Sequence, residues 1–192
     1  MRHPSLLDRA RTVLLVIDVQ EAYRPVLYGW SSIVQRVELL LRGVGMLGLP
    51  VLVTEQYPEG LGHTAHEVAA RIPQGELVVA KRSMSCCGAP VFVERLTALR
   101  RSQVLVAGIE THACVLQTTH DLIAAGYQVH LASDATSSRS PEFIPPAWER
   151  MMGAGVLATT AEQALLELVQ TSEASEFRGL QRLLKAAAGR ST

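Results

Sequence analysis

The chain has 192 residues, 48% of them hydrophobic, enough for a compact core that hides roughly 70% of the surface an unfolded chain exposes. Its 18 Lys and Arg balance its 18 Asp and Glu, so it lacks the broad positive field that clamps nucleic acid or an anionic membrane face, and neither is expected as a partner. Only 19% of residues are charged, and 14 Gly and 9 Pro are scattered along the chain, which excludes disorder and coiled coil.

From Met1 to Arg11, three arginines flank a short Leu6-Leu7 pair with no apolar stretch of signal type, and no apolar run of about 18 residues follows anywhere. Strands are predicted at Thr12 to Asp18, Val51 to Glu55, Leu77 to Lys81, Val104 to Gly108, Gln128 to Ala132 and Gly155 to Ala158. They are rich in Val, Ile and Leu on both faces, as buried parallel strands require. Helices are predicted between them at Ile33 to Leu47, Val91 to Arg100, Thr111 to Ala125, Glu142 to Met152 and Thr160 to Val169. A last amphipathic stretch within about 174–188 carries Phe177, Leu180, Leu183 and Leu184 on one face and packs on the domain or on a second subunit. No linker, repeat or low-complexity segment divides the chain, so residues 1–192 are expected to form one domain. The expected architecture is an α/β, three-layer, Rossmann-like open parallel sheet of about six strands, order 3-2-1-4-5-6, with helices on both faces.

The glycines of Gly43-Val44-Gly45-Met46-Leu47-Gly48 match G-x-G-x-x-G, but they close a helix and precede a strand. A dinucleotide fingerprint must do the reverse, and a left-handed helix stop accounts for them. The longest irregular stretches, Gln20 to Trp30, Gln56 to Gly62, Arg82 to Pro90 and Ser133 to Ser140, each follow a strand's carboxyl end. In an open α/β sheet, ligands bind at that edge.

Three residues at this edge invite chemistry. Asp18 follows four apolar residues in Leu15-Val16-Ile17-Asp18; a carboxylate there either caps a turn or is buried for use. Lys81 ends Leu77-Val78-Val79-Ala80-Lys81, either snorkelling from the sheet edge or pairing with a charge. Cys114 opens a helix after Gly108-Ile109-Glu110-Thr111-His112-Ala113, where it is either a small buried hydrophobe or a thiol whose thiolate the helix start favours. His112 and His120 fall on other helical faces than Cys114, which disfavours a Cys/His dyad and leaves Asp18 as the candidate base. In the expected strand order the first and fourth strands are neighbours, so Asp18 lies beside Cys114, and a long lysine stem reaches both.

These residues resemble the isochorismatase-like cysteine hydrolases, a superfamily that includes nicotinamidases and carbamoylsarcosine amidohydrolase. The resemblance runs from Val13 to about Val169 and rests on Asp18-Val19-Gln20 with Tyr23, on Lys81, and on Gly108 to Val115. Thr54-Glu55-Gln56-Tyr57-Pro58 and Asp134-Ala135-Thr136-Ser137-Ser138-Arg139 look more narrowly like the isochorismatase domain-containing subgroup. The resemblance implies that Asp18 is the general base, Cys114 the nucleophile and Lys81 their electrostatic partner. It also implies a cis peptide at Ile109-Glu110 and an oxyanion hole from the amides of Glu110 and Cys114. Gln20, Tyr23, Gln56 and Tyr57 are candidate pocket residues, equally readable as packing or turn residues. The implied reaction is hydrolysis of a small amide-like C–N bond by a homo-oligomer, while the three cysteines and the lack of a signal-type apolar stretch predict a reducing, cytoplasmic compartment.

The chain departs from the nicotinamidase pattern, which binds a metal through Asp-x-His after the second strand. Glu55-Gln56-Tyr57-Pro58 stands there, so no metal and no other cofactor is expected. Three cysteines, two of them vicinal, give neither a disulfide framework nor zinc spacing. Cys86 and Cys87 read as loop or pocket packing, His63 and His66 as surface residues. Two other functions stay open: an interaction protein with a vestigial pocket, and a thiol redox sensor built on Cys114 alone.

Overall fold

The computed structural model describes residues 2–76 and 78–189. Met1, Arg190, Ser191 and Thr192 of the expected domain, and Leu77 of the expected third strand, lie outside them. In chain order the main elements are β1 (Thr12–Ile17), α1 (Trp30–Met46), β2 (Val51–Gln56), α2 (Pro58–Leu61), α3 (His66–Ala69), β3 (Val78–Lys81), α4 (Pro90–Ala98) and β4 (Gln103–Ile109). After these come α5 (Leu116–Ala124), β5 (Gln128–Ser137), α6 (Ile144–Gly153), β6 (Leu157–Thr159), α7 (Ala161–Val169) and α8 (Phe177–Ala188). All six strands run parallel in one sheet, ordered β3-β2-β1-β4-β5-β6, as the alternation of apolar runs and helical periods predicts.

Strand periodicity divides the core in two. Leu14 and Val16 of β1 face the cluster formed with α1, α7 and α8, while Val13, Leu15 and Ile17 face the one formed with α4, α5 and α6. Both faces of the strand are therefore apolar because both are covered. The C-terminal helix lays Leu180, Leu183 and Leu184 on the first cluster, packing against α1 and α7. At the end of α1, Gly48 takes φ +66° and the amide of Leu49 reaches back to the carbonyl of Val44 at 3.0 Å. That is the left-handed helix stop expected from the glycine pattern.

Four expectations change in detail. β5 does not end at Ala132 but continues to Ser137, because Gly108 and Ile109 of β4 pair with Thr136 and Ser137 across a register shift. Much of the stretch expected to be irregular is thus sheet. The helix expected from Thr111 opens as a π turn over Thr111–Val115 before α5 begins, the wider winding that recurs at functional sites. The helix expected from Glu142 starts at Ile144 behind a single 3-10 turn, with Pro145 and Pro146 in its first turn, where missing N–H groups cost nothing. The short helices α2 and α3 have too little period to be read from sequence.

Candidate active site

Register sets the first contact. Ile17 pairs with Thr54 on one side and with Gly108 on the other, so the next residue, Asp18, emerges between the ends of β2 and β4. Asp18 adopts φ +52° and its amide donates to the carbonyl of Thr54 at 3.1 Å. Gly108, at φ +118°, lets β4 come this close, since a Cβ there would stand 2.1 Å from the carbonyl oxygen of Ile17. Behind Asp18, the hydroxyl of Thr54 donates to Oδ1 at 2.7 Å.

Lys81 ends β3 two strands away and leans across β2. Its Nζ lies 2.7 Å from Asp18 Oδ2, with the two side chains 0% and 1% exposed. The ammonium also donates to Gln56 Oε1 at 2.6 Å and to the carbonyls of Met84 at 3.0 Å and Ser83 at 3.2 Å. Burial pulls the Lys81 ammonium toward its neutral form, but the Asp18 carboxylate outweighs it and holds Lys81 above the ordinary lysine range. The lysine is not a snorkelling edge residue.

Cys114 stands in the π turn, 4% exposed, close enough to Asp18 that the carboxylate's charge acts on its thiol. The three residues singled out in the sequence therefore meet. The protonation of Cys114, however, runs opposite to the expectation from the helix start. Burial, then the charge of Asp18, push the thiol up to about 12, and Lys81 opposes this only in part. The partial charge of a helix terminus is weaker than a desolvated neighbouring carboxylate. Burial and the neighbouring carboxylate thus favour the neutral thiol.

The remaining candidates divide by what they touch. Ile109-Glu110 is a cis peptide bond. The buried Glu110 carboxylate accepts the amide of Arg139 at 2.9 Å, and the Glu110 carbonyl accepts the amides of Ala113 and Val115 in the cysteine turn. Tyr23 is half-buried, and its phenol is pushed up to about 12 by burial and by the charges of Glu110, Cys114 and Asp18. Gln20 is buried with its carboxamide committed to backbone: it donates to the carbonyls of Gln56 and Gly62 and accepts the amide of Gln56. Gln56 likewise sits behind the trio, holding the Lys81 ammonium and the carbonyl of Arg82. Tyr57 is exposed, with the Arg82 guanidinium 4.2 Å over its ring.

Sequence reasoning did not single out Thr54 as a partner of Asp18, nor Cys86, which is fully buried beneath the trio with its sulfur 3.7 Å from the Thr54 hydroxyl. The signal available for Thr54 was a hydroxyl at the strand end next to Asp18. His112 turns away from Cys114 to Ser138 at 2.9 Å, and His120 bonds to the carbonyl of Leu116. At the end of β2, Glu55 accepts the amide and hydroxyl of Thr64 and lies 3.1 Å from His63. Among the described residues, Glu21, His66 and Glu67 bring three ligand atoms within 4.8 Å of one another, but the Arg24 guanidinium already spans both carboxylates. His63 and His66 are both exposed.

A parallel sheet in this order, with an Asp, a Lys and a Cys meeting at its carboxyl edge, defines an isochorismatase-like protein. Residues 12–163 match the isochorismatase domain model, and the chain belongs to the isochorismatase family. Isochorismatase domain-containing protein 1 of Salmo salar is 38% identical over 93% of this chain and 62% of its own length. The chain thus spans less than two thirds of that relative. Isochorismatase domain-containing protein 2 of Danio rerio is 36% identical over 93% of this chain and 89% of its own. A relative from Phytophthora sojae, 35% identical over 91% of this chain and 84% of its own, is named a secreted isochorismatase effector. The family therefore does not fix a compartment, and among the described residues no helix is long and apolar enough to cross a membrane.

A solved structure described as the MAR1 ribonuclease of Caenorhabditis elegans superposes with a TM-score of 0.90 at 34% identity, covering 94% of this chain and 92% of that one. The fold alone is shared with YcaC of Escherichia coli, described as an octameric hydrolase, at a TM-score of 0.85 and 21% identity over 97% of this chain and 91% of that one.

Proposed function

We propose that this chain is a metal-independent cysteine hydrolase that cleaves a small amide-like C–N bond. The observation that carries the reading is the buried Lys81–Asp18 pair, 2.7 Å apart, with the buried Cys114 thiol under the charge of the same carboxylate. A neutral thiol against a carboxylate is poised for general-base removal of its proton as attack begins, so no standing thiolate is needed. In the proposed course, Sγ bonds to the amide carbon while its proton passes to Asp18. The carbonyl oxygen takes negative charge against the amides of Glu110 and Cys114. The C–N bond then breaks, Asp18 returns the proton to the departing nitrogen, and water cleaves the thioester. Lys81 holds the Asp18 carboxylate in place and faces it with a positive charge as it takes and returns the proton. Because Gln56, Ser83 and Met84 also occupy the ammonium, it serves as a fixed charge rather than a substrate ligand.

Two features favour a route without a metal. The Glu55 carboxylate, where metal-binding relatives would present a ligand, is held by Thr64, and the Glu21–His66–Glu67 cluster is held by Arg24. All three cysteines are unpaired, which suits the reducing cytoplasm we propose. A homo-oligomer is proposed on the exposed Val78 of edge strand β3 and the exposed Val91 and Val93 of α4, an apolar sheet edge that soluble chains cover. A ribonuclease, as one structural neighbour is described, would need a basic face. This chain has a net charge of zero, and the site's lysine is 3% exposed.

The test is release of ammonia from a panel of small primary amides, with acid-quenched intact mass to trap an acyl adduct. An adduct on Cys114, with turnover lost in Cys114→Ala, is expected. Turnover that survives Cys114→Ala, or cleavage of RNA without amide turnover, would sink the reading.

A further inference from the structure

Cys86 is a buried nucleophile that the proposed reaction leaves unused. It is 0% exposed and opens the 3-10 turn Cys86–Gly88 between β3 and α4. Two hydroxyls fix it. Its amide donates to Thr118 Oγ1 at 2.9 Å, and Thr118 stands about one helical turn beyond Cys114, on the same face. Its sulfur lies 3.7 Å from Thr54 Oγ1. The Thr54 proton is already given to Asp18 Oδ1 at 2.7 Å, so in this contact the Cys86 thiol is the donor. Cys86 is therefore held between the helix face that carries Cys114 and the hydroxyl behind Asp18. Both cysteines belong to one buried apolar cluster.

Burial, then the charge of Asp18, push the Cys86 thiol up to about 12, so it needs a base before it can react. The chain of bonds through Thr54 leads its proton to the carboxylate that serves Cys114. The adjacent Cys87 is a poor partner, since neighbouring Cα atoms stand about 3.8 Å apart and a disulfide prefers about 4.4 to 6.8 Å. We propose that Cys86 is the resolving thiol of Cys114, capturing it after oxidation by hydrogen peroxide as a reversible Cys86–Cys114 disulfide. First, Cys114 Sγ bonds to one peroxide oxygen and the O–O bond breaks. The departing hydroxide takes the thiol proton by way of Asp18 and leaves as water. Cys86 Sγ then attacks the sulfenic sulfur, the S–O bond breaks, and the hydroxyl leaves as a second water with the Cys86 proton, passed through Thr54 and Asp18. The two thiols give up two electrons and the peroxide takes them. A sulfenic acid without a second thiol goes on to sulfinic acid, which thiols do not reduce, so the disulfide preserves the nucleophile. The proposal rests on the reading of Cys114 as a nucleophile with Asp18 as its base and adds redox control of that site.

The test is a few equivalents of hydrogen peroxide, then N-ethylmaleimide in guanidinium, read by intact mass and non-reducing peptide mapping. The parent should lose about 2 Da, take up maleimide on Cys87 alone and show a Cys86–Cys114 cross-link that dithiothreitol reverses. This result needs no variant, so it stands whether or not a substitution at Cys86 folds. Cys87→Ser should form the same cross-link. Cys86→Ala should instead carry sulfinic acid on Cys114, about 32 Da heavier, resistant to dithiothreitol and at least about tenfold more abundant than in the parent. A cross-link that uses Cys87 or joins two chains overturns the role of Cys86 and leaves the hydrolase reading standing. So does a parent that reaches sulfinic acid as readily as Cys86→Ala. A Cys114 that neither oxidises nor takes up iodoacetamide in the folded protein overturns both.

Discussion

Two clusters of charge stand beyond the carboxyl edge of the sheet, and they differ in solvent. In one, Asp18 and Lys81 meet with side chains 1% and 0% exposed. In the other, Arg24 spans Glu21 and Glu67 with side chains between 30% and 41% exposed. The exposed cluster has the more complete set of hydrogen bonds, and the pull of Arg24 drops Glu21 to about 2. Yet water screens its charges and replaces any bond that is lost. The buried pair has no such substitute. Beside it, burial and the charge of Asp18 raise the Cys114 thiol. Bond count is a poor guide to which cluster matters, and desolvation a good one.

The contrast can be broken from either side. The largest effect is expected from Lys81→Met, which leaves Asp18 buried without its counter-charge and should cost about 3 to 5 kcal/mol in urea unfolding. Adding Asp18→Asn to that variant should restore part of the loss, and a double variant as unstable as the sum of the singles would contradict the pairing. Thr54→Val removes the hydroxyl bound to Asp18 Oδ1 while keeping the shape. A cost of about 1.5 to 3 kcal/mol is expected, since the bond goes to a charged group.

His130 sharpens the contrast as a buried ionisable group with no counter-charge bonded to it. Its Nε2 has no hydrogen-bond partner among the described residues, and burial draws the ring below its ordinary range, with Glu167 opposing. The folded protein resists a proton that the unfolded chain accepts, so stability is full above about pH 6.5 and declines as the pH falls below it. His130→Leu should flatten that decline between about pH 5 and 6.5 in chemical denaturation. The smallest effect belongs to the exposed cluster. Arg24→Gln should move the thermal midpoint by no more than about 2 °C.

The sheet was legible because parallel strands buried on both faces leave continuous apolar runs, and the spacing of these runs fixed which strand ends share an edge. Asp18, Lys81 and Cys114 were legible for the same reason, each being a reactive residue where an apolar run stops. What stayed hidden depends on register and desolvation. The extension of β5 to Ser137 follows from a shift in pairing with β4, and no local pattern encodes that. The commitment of Gln20 and Gln56 to strand ends and to the Lys81 ammonium looks, in sequence, the same as two glutamines facing a pocket. The choice between a buried neutral thiol and a thiolate at Cys114 stayed open because the helix start is visible in sequence while the dryness around it is not.

The central claim is that Asp18 takes the proton of Cys114 during attack. The most direct measurement is the rate of Cys114 alkylation by limiting iodoacetamide between about pH 5 and 8, read by mass mapping, in the parent and in Asp18→Asn. Proton transfer within the Asp18–Cys114 pair leaves its proton count unchanged, so the parent rate should be flat with pH. Cys87, which has no such base, should rise by up to about tenfold per unit, and Cys114 in Asp18→Asn should acquire that same slope. A parent Cys114 that already climbs with pH as Cys87 does would contradict the account.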